Sequence, residues 1–163
     1  MNYCKELEKF YKTNKYSKYR LPNFPETVSE NLIKDIIMIS EKSYCIRNVK
    51  SGDLKKEDKR IECKTFISRG PCSFGPKESW DEIYFLDATK YQQKRFKLYK
   101  VNLSNKDLEF QNILVNKKET FHDQAKLGRR PRIKFETMMQ QIKEYSEIIF
   151  DGYLSELFYA SEK

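Results

Sequence analysis

Asp53 is followed, after eight residues, by Glu62-Cys63-Lys64. Side chains alternate faces along a strand, so Glu62 and Lys64 share one face while Cys63 points the other way with Ile61, toward a core. A hairpin spanning 53 to 62 sets Asp53 beside Glu62. Two carboxylates about 4 Å apart, at an effective dielectric near 20, repel by roughly 4 kcal/mol, and a hard divalent cation offsets that repulsion. Oxygen donors suit Mg²⁺, which takes few protein carboxylates and keeps waters, one of which can become a nucleophile. Lys64 would orient that water or stabilise charge on a phosphate. These are the parts that phosphodiester hydrolysis requires. The same spacing also arises by chance in a chain that is 34% charged, where an exposed hairpin carrying Lys, Glu and Asp is common.

Three neighbouring features bear on the same chemistry. Glu30 stands seven residues before Ile37 in a helical stretch, at nearly the same azimuth, so it borders the apolar stripe and is aimed at the sheet edge where Asp53 would sit. A solvated glutamate at a helix boundary would look the same. The segment Arg69-Gly70-Pro71-Cys72-Ser73-Phe74-Gly75-Pro76 leaves the strand that bears Glu62 and Lys64. Arg69 and Ser73 can hydrogen-bond phosphate, and glycine lets backbone approach a ligand. Lys126, Arg129, Arg130 and Arg132 place four cations in seven residues just before a helix. Arginine pairs bidentately with phosphate or with guanine edges. An ordinary turn and a solvated basic cluster are the plainer readings of these last two.

The elements that must carry these residues are legible in outline. From Thr27, the apolar residues Val28, Leu32, Ile33, Ile36 and Ile37 mark an amphipathic helix, with Pro25 and Thr27 as start signals. Gly52-Asp53 and the charged run LKKEDK mark a turn between two short strands. Alternation from Arg60 predicts a strand through Ile67. The two Gly-and-Pro signals in 69–76 predict a loop. Ile83 to Leu86 reads as a fully buried strand, and Phe96 to Leu103 as another. Residues 104–128 show no clear period. From Phe135, the positions 135, 138, 139, 142, 145 and 149 predict an amphipathic helix ending near Asp151-Gly152, and Tyr153 to Tyr159 a short helix that packs back. A short helix is also expected in residues 1–19. Helix, strands, then helix gives an α/β fold with a mixed sheet.

Composition bounds the rest. With 163 residues, one domain spanning 1–163 is expected. Eleven Phe, eleven Tyr and a Trp argue against disorder. A net charge of +8 suits a polyanionic partner without demanding one. The longest apolar runs, such as Ile36 to Ile39, are too short to span a membrane. The N-terminal MNYCKELEKF carries charge where a signal peptide is apolar, so a cytoplasmic protein is expected. Cys4, Cys45, Cys63 and Cys72 form no CxxC pair, which argues against structural zinc and for reduced thiols. His122 is the only histidine and is given no role; a single one excludes a His-Asn-His nuclease. Trp80 is assigned to the core, and Asp87 to a turn at a strand end, with support of the metal-binding acids as the alternative. Tyr11, Tyr16 and Tyr19, among Lys12, Lys15, Lys18 and Arg20, either track a nucleic-acid backbone or form a solvated connector.

At these residues the sequence resembles the PD-(D/E)XK nuclease superfamily and, within it, the small type II restriction endonucleases of bacteria and large DNA viruses. The resemblance rests on SENLIKDII, GD-x8-ECK, GPCSFGPKESWDEIYFLDA and GRRPRI, which together run from about residue 25 to 135. It implies a restriction-endonuclease-like core, a mixed β-sheet flanked by helices. Residue by residue, it implies Asp53 and Glu62 as metal-binding acids, Lys64 as the catalytic lysine, and Glu30 as the acid often found on the first core helix. The residue before Asp53 is Gly52 rather than the proline of the nominal motif. The resemblance further implies Mg²⁺, with Mn²⁺ able to substitute, double-stranded DNA as substrate, and a homodimer that reads a near-palindromic site inside a bacterium or a virus-infected host cell. Arg69, Ser73, Lys126, Arg129, Arg130 and Arg132 are the expected DNA contacts. A structure-selective, nicking or homing nuclease of the same fold is the alternative, as is a non-catalytic DNA-binding module.

Overall fold

The computed structural model describes residues 24–47 and 52–160. The helix expected in residues 1–19 and the tyrosine- and lysine-rich stretch lie outside these residues. Helix α1 (Glu26–Ser40) starts after Pro25, whose carbonyl accepts from the Ser29 N–H at 2.9 Å. Its stripe of Ile33, Ile36 and Ile37 is fully buried. The stripe turns away from Val28, which is 51% exposed, and buries Ser29 and Glu30 instead. A carboxylate kept at the buried position is a local rule broken, which is where function is expected.

The main sheet runs β1 (Cys45–Arg47), β2 (Leu54–Lys56), β3 (Lys59–Phe66), β5 (Glu82–Asp87), β6 (Arg95–Val101), β8 (Ser146–Tyr153), in that spatial order. Only the β3–β5 pairing is parallel. A separate two-stranded sheet pairs β4 (Pro71–Ser73) with β7 (Arg132–Lys134). Strand β5 is central and buried from Glu82 to Leu86, as its continuous apolar run requires. The sheet is a mixed one flanked by helices, the architecture expected from the sequence.

Each face of the sheet covers its own core. On one side, α1 and α5 (Leu154–Ala160) pack Ile33, Ile36, Ile37 and Leu157 against Leu54, Ile61, Tyr84 and Leu98. On the other, α2 (Leu108–Gln111), α3 (Phe121–Lys126), α4 (Phe135–Ile142) and the small sheet pack Phe110, Phe121 and Met138 against Phe74, Trp80 and Phe85. Trp80 is core, as expected. Asp87 serves its turn by accepting from the Thr89 N–H at 2.9 Å and from the Thr89 hydroxyl at 2.6 Å. The aperiodic stretch 104–128 owes α3 to a capping box, in which Thr120 and Asp123 satisfy each other's backbone N–H. No described helix is long and apolar enough to cross a membrane.

Just past the end of α1, Glu41 ties the helix to the sheet through a buried polar cluster. Lys56 Nζ lies 2.7 Å from Glu41 and 2.8 Å from Glu82, and the Tyr84 hydroxyl donates to Glu41 at 2.7 Å. Each of these charges has its opposite within hydrogen-bond reach, which is what makes burying them tolerable.

Three elements differ from the sequence-based expectation. The first three residues of the charged run LKKEDK, read as turn, form strand β2. The helix from Phe135 stops at Ile142; a short 3₁₀ turn (Lys143–Tyr145) follows, and Ser146–Tyr153 is strand β8. The register between β6 and β8 shifts at Leu98/Tyr99, which lets the adjacent Ile149 and Phe150 both pack on the α1 side. That irregularity hides the two-residue period and leaves a helix-like spacing. Within 69–76, residues 71–73 form β4 rather than loop, because a partner strand sixty residues on supplies its hydrogen bonds.

Candidate active site

The β2–β3 hairpin sets the geometry. Leu54 pairs with Ile61, so Asp53 and Glu62 are the next positions along the ladder. The Asp53 N–H donates to the Ile61 carbonyl at 2.9 Å, and Asp53 Oδ2 accepts from the Cys63 N–H at 2.7 Å. The carboxyl is thereby fixed against β3. Gly52 sits at φ 77°, and a Cβ there would lie 3.0 Å from the Ile61 carbonyl oxygen. Proline cannot adopt that φ, which accounts for glycine at the position where the nominal motif has proline.

Glu62 is 3% exposed and forms an ion pair with Lys64 on the same face of β3. Burial pushes the Glu62 carboxyl up to about 7, and the charges of Asp53 and Glu78 push the same way, against the pull of Lys64. Burial likewise raises Asp53; the Cys63 N–H and Lys64 pull it down, while Glu30 and Glu78 push it up. Burial works to lower Lys64, but Glu62, Glu78 and Asp53 outweigh it, so the ammonium is held above its ordinary value. Lys64 Nζ also lies 5.6 Å from the centroid of the Phe74 ring. One ammonium group thus faces more carboxylate charge than it can neutralise.

Glu30 comes to this cluster from α1. It is 7% exposed, forms an ion pair with Arg47 of β1, and its charge acts on Asp53. The four residues singled out by spacing thus act on one another through their charges, Asp53, Glu62 and Lys64 within the hairpin and Glu30 on Asp53 from the helix. Two neighbours were not singled out. Arg47 carries no motif signal. Glu78 lies inside the GPKESWDEIYF block, but no spacing relates it to Lys64; only the fold of the β3–β5 crossover brings its carboxylate within 3.5 Å of the ammonium.

Among the described residues, no three His, Cys, Asp or Glu side chains form a ready-made metal cage. An all-oxygen pair with an unbalanced negative charge is nevertheless the kind of donor set that Mg²⁺ uses, with one or two carboxylates and the rest of its shell from water and substrate phosphate. The donor chemistry of Asp53 and Glu62 fits a hard divalent cation.

The expected DNA contacts divide. Ser73 and Arg132 are cross-strand partners in the β4–β7 sheet. Both line a cleft of about 610 Å³ that also holds Glu26, Ser29, Glu30 and Lys64. Arg130 lines a second cleft, of about 510 Å³, with Glu78, Gly52 and Gly75. Arg129 instead pairs with Glu119, whose carboxyl is held down at about 2 by Asn116, Arg129 and Gln124. Arg69 and Lys126 are exposed and line neither cleft.

A mixed sheet flanked by helices, with an Asp…Glu-x-Lys cluster at one hairpin and an acid from the first core helix, defines a restriction-endonuclease-like protein. The chain belongs to the Bsp6I restriction endonuclease family, whose model matches residues 1–144. It is 34% identical over 120 residues to the type II restriction enzyme Bsp6I of Bacillus sp. (strain RFL6). That match covers 69% of this chain and 64% of the relative, so just under two thirds of the relative's length is spanned. No solved structure matches the chain.

Proposed function

We propose that this chain is a type II site-specific deoxyribonuclease, which hydrolyses phosphodiester bonds of double-stranded DNA with Mg²⁺, acts as a homodimer and works inside the cell. Support comes from family membership and, above all, from one observation: Lys64 and Glu30 line a cleft walled by Ser73 and Arg132, and Lys64 is paired with Glu62 and feels the charge of Asp53.

In this reading Asp53 and Glu62 hold the divalent cation. The bound cation would supply Lewis acidity at the scissile phosphate and a more acidic water. Glu62 would hold it as the carboxylate, so binding would be coupled to release of the proton that burial favours on this group. Lys64 orients the attacking water and stabilises the charge that grows on the phosphate oxygens. Glu30, fixed by Arg47, adds negative charge on the helix side of Asp53. Arg132 and Ser73 hold the DNA backbone in the larger cleft and Arg130 in the smaller one; Arg69, Lys126 and Arg129 are exposed basic groups that long DNA can reach.

The test is incubation of the purified protein with unmodified, mixed-sequence linear DNA. Discrete fragments are expected with Mg²⁺ and none with EDTA. Intact DNA would overturn the nuclease reading, and a smear or nicks without discrete fragments would favour a structure-selective or nicking enzyme. A separate expectation concerns affinity. With Ca²⁺ in place of Mg²⁺, binding of cognate DNA by Arg132→Ala should fall, and the slope of log K against log salt should shrink by about 0.9 if one phosphate contact is lost. An unchanged slope would remove Arg132 from the interface.

A further inference from the structure

Lys64 forms ion pairs with two acids, Glu62 and Glu78, and only Glu62 belongs to the motif. Glu78 Oε2 lies 3.5 Å from Lys64 Nζ. The same oxygen accepts the Gly75 N–H at 2.7 Å, and the Glu78 N–H returns to the Gly75 carbonyl at 3.3 Å. Asn105 donates to the Glu78 carbonyl at 2.7 Å and accepts from the Trp80 N–H at 3.2 Å, which fastens the turn to the core. A Cβ on Gly75 would collide with the Glu78 carboxylate. This carboxylate is therefore a fixed group, although it is a third exposed.

We propose that Glu78 is a positioning residue for Lys64: with Glu62 it forms a two-acid cradle over the Phe74 ring, and it keeps the ammonium in place when Glu62 turns to a cation. The inference rests on the nuclease reading above. Lys64 Nζ donates to Glu62 Oε1. A divalent cation needs that carboxylate and repels the ammonium beside it. A lysine that loses the partner holding it regains most of its rotamer freedom. Glu78, held by backbone rather than by the cation, is the second anchor that prevents this.

Glu78→Gln keeps the shape of the side chain and removes the charge. Three measurements read its role. In metal-free protein, competitive acetylation with acetic anhydride followed by peptide mass spectrometry should show Lys64 several-fold more reactive, relative to exposed Lys106, than in the wild type. In steady-state cleavage, kcat should fall about 10–100-fold with KM for DNA within twofold. Calorimetric Ca²⁺ binding should stay within twofold. Gly75→Ala, which leaves the charge but displaces the carboxylate, should reproduce the labelling and kcat changes. Unchanged Lys64 reactivity would overturn the proposal, as would Ca²⁺ affinity that falls in step with kcat, since Glu78 would then be a cation ligand. The labelling needs neither DNA nor metal, so a wild-type protein that cuts nothing would sink the nuclease reading while the cradle is still read.

Discussion

Glu62→Gln should leave DNA uncut and yet melt higher than the wild type at pH 8, whereas Lys64→Ala should be equally inactive and melt lower. The loss of cleavage is expected to reach about 10³-fold or more in both, because in the proposed nuclease each would remove a group aimed at the developing charge or at the ion that balances it. The opposite stability signs follow from the buried charges. The Glu62 carboxyl is held at about 7 in the folded protein, above the ordinary 4.5, chiefly by burial. Its contribution to stability is fully present below pH ~4.5 and is lost as pH rises through ~7. At pH 8 the ionised group costs the fold, and glutamine removes that cost, on the order of 1–3 kcal/mol. The gain should shrink to nothing near pH 4.5. Lys64→Ala acts the other way: Asp53, Glu62 and Glu78 lose the cation that balances them, at a cost of about 1–3 kcal/mol. Scanning calorimetry in EDTA at pH 8 and pH 5 reads both. A Glu62→Gln protein that melts at or below the wild type at pH 8 would contradict the buried-charge account. Added Mg²⁺ should raise the wild-type midpoint and leave the Glu62→Gln midpoint nearly unchanged.

Trp80→Ala should cost about 3–5 kcal/mol, enough to unfold most of a marginally stable domain. The indole is fully buried, with ring centroids 5.3 Å from Phe110, 6.0 Å from Phe74 and 6.4 Å from Phe121. Its Nε1–H has no hydrogen-bond partner among the described residues. Trp80→Phe therefore gives up no hydrogen bond and should cost only ~1–2 kcal/mol. Urea unfolding of the two variants separates them. Equal losses would mean that the polar edge of the indole, and not its bulk, holds the site together. The surviving Trp80→Phe protein should also cut more slowly, because Phe74, the ring beneath Lys64, packs directly on Trp80.

The parts of the site that were readable from sequence are those joined by local geometry. Asp53, Glu62 and Lys64 belong to one hairpin, so strand alternation and a short turn suffice to bring them together. Glu30 was readable because the helix period ties it to Ile37. The parts that were not readable depend on contacts between distant segments. Ser73 and Arg132 were singled out separately, but nothing in either segment announces that they are cross-strand neighbours. Glu78 reaches Lys64 only through the path of the crossover. Glu41, Lys56 and Glu82 look like surface charges in the sequence and are drawn inside by one another. Of the elements misjudged in type, β4 is a strand only through its distant partner β7, and β8 has a ladder irregularity that breaks the alternation by which a strand is recognised.

The parallel step from β3 to β5 is made by β4 and tight turns, with no helix between them. The same short bridge that reverses chain direction twice also delivers Phe74 beneath the ammonium and Glu78 beside it. In the proposed enzyme its length is thus set by chemistry as well as by topology. An added residue anywhere from 74 to 78 would shift the lysine's floor and its wall together. Divergence in length among kindred sequences should therefore collect elsewhere, as in the exposed turn around Lys90 and Lys94, where nothing catalytic is suspended.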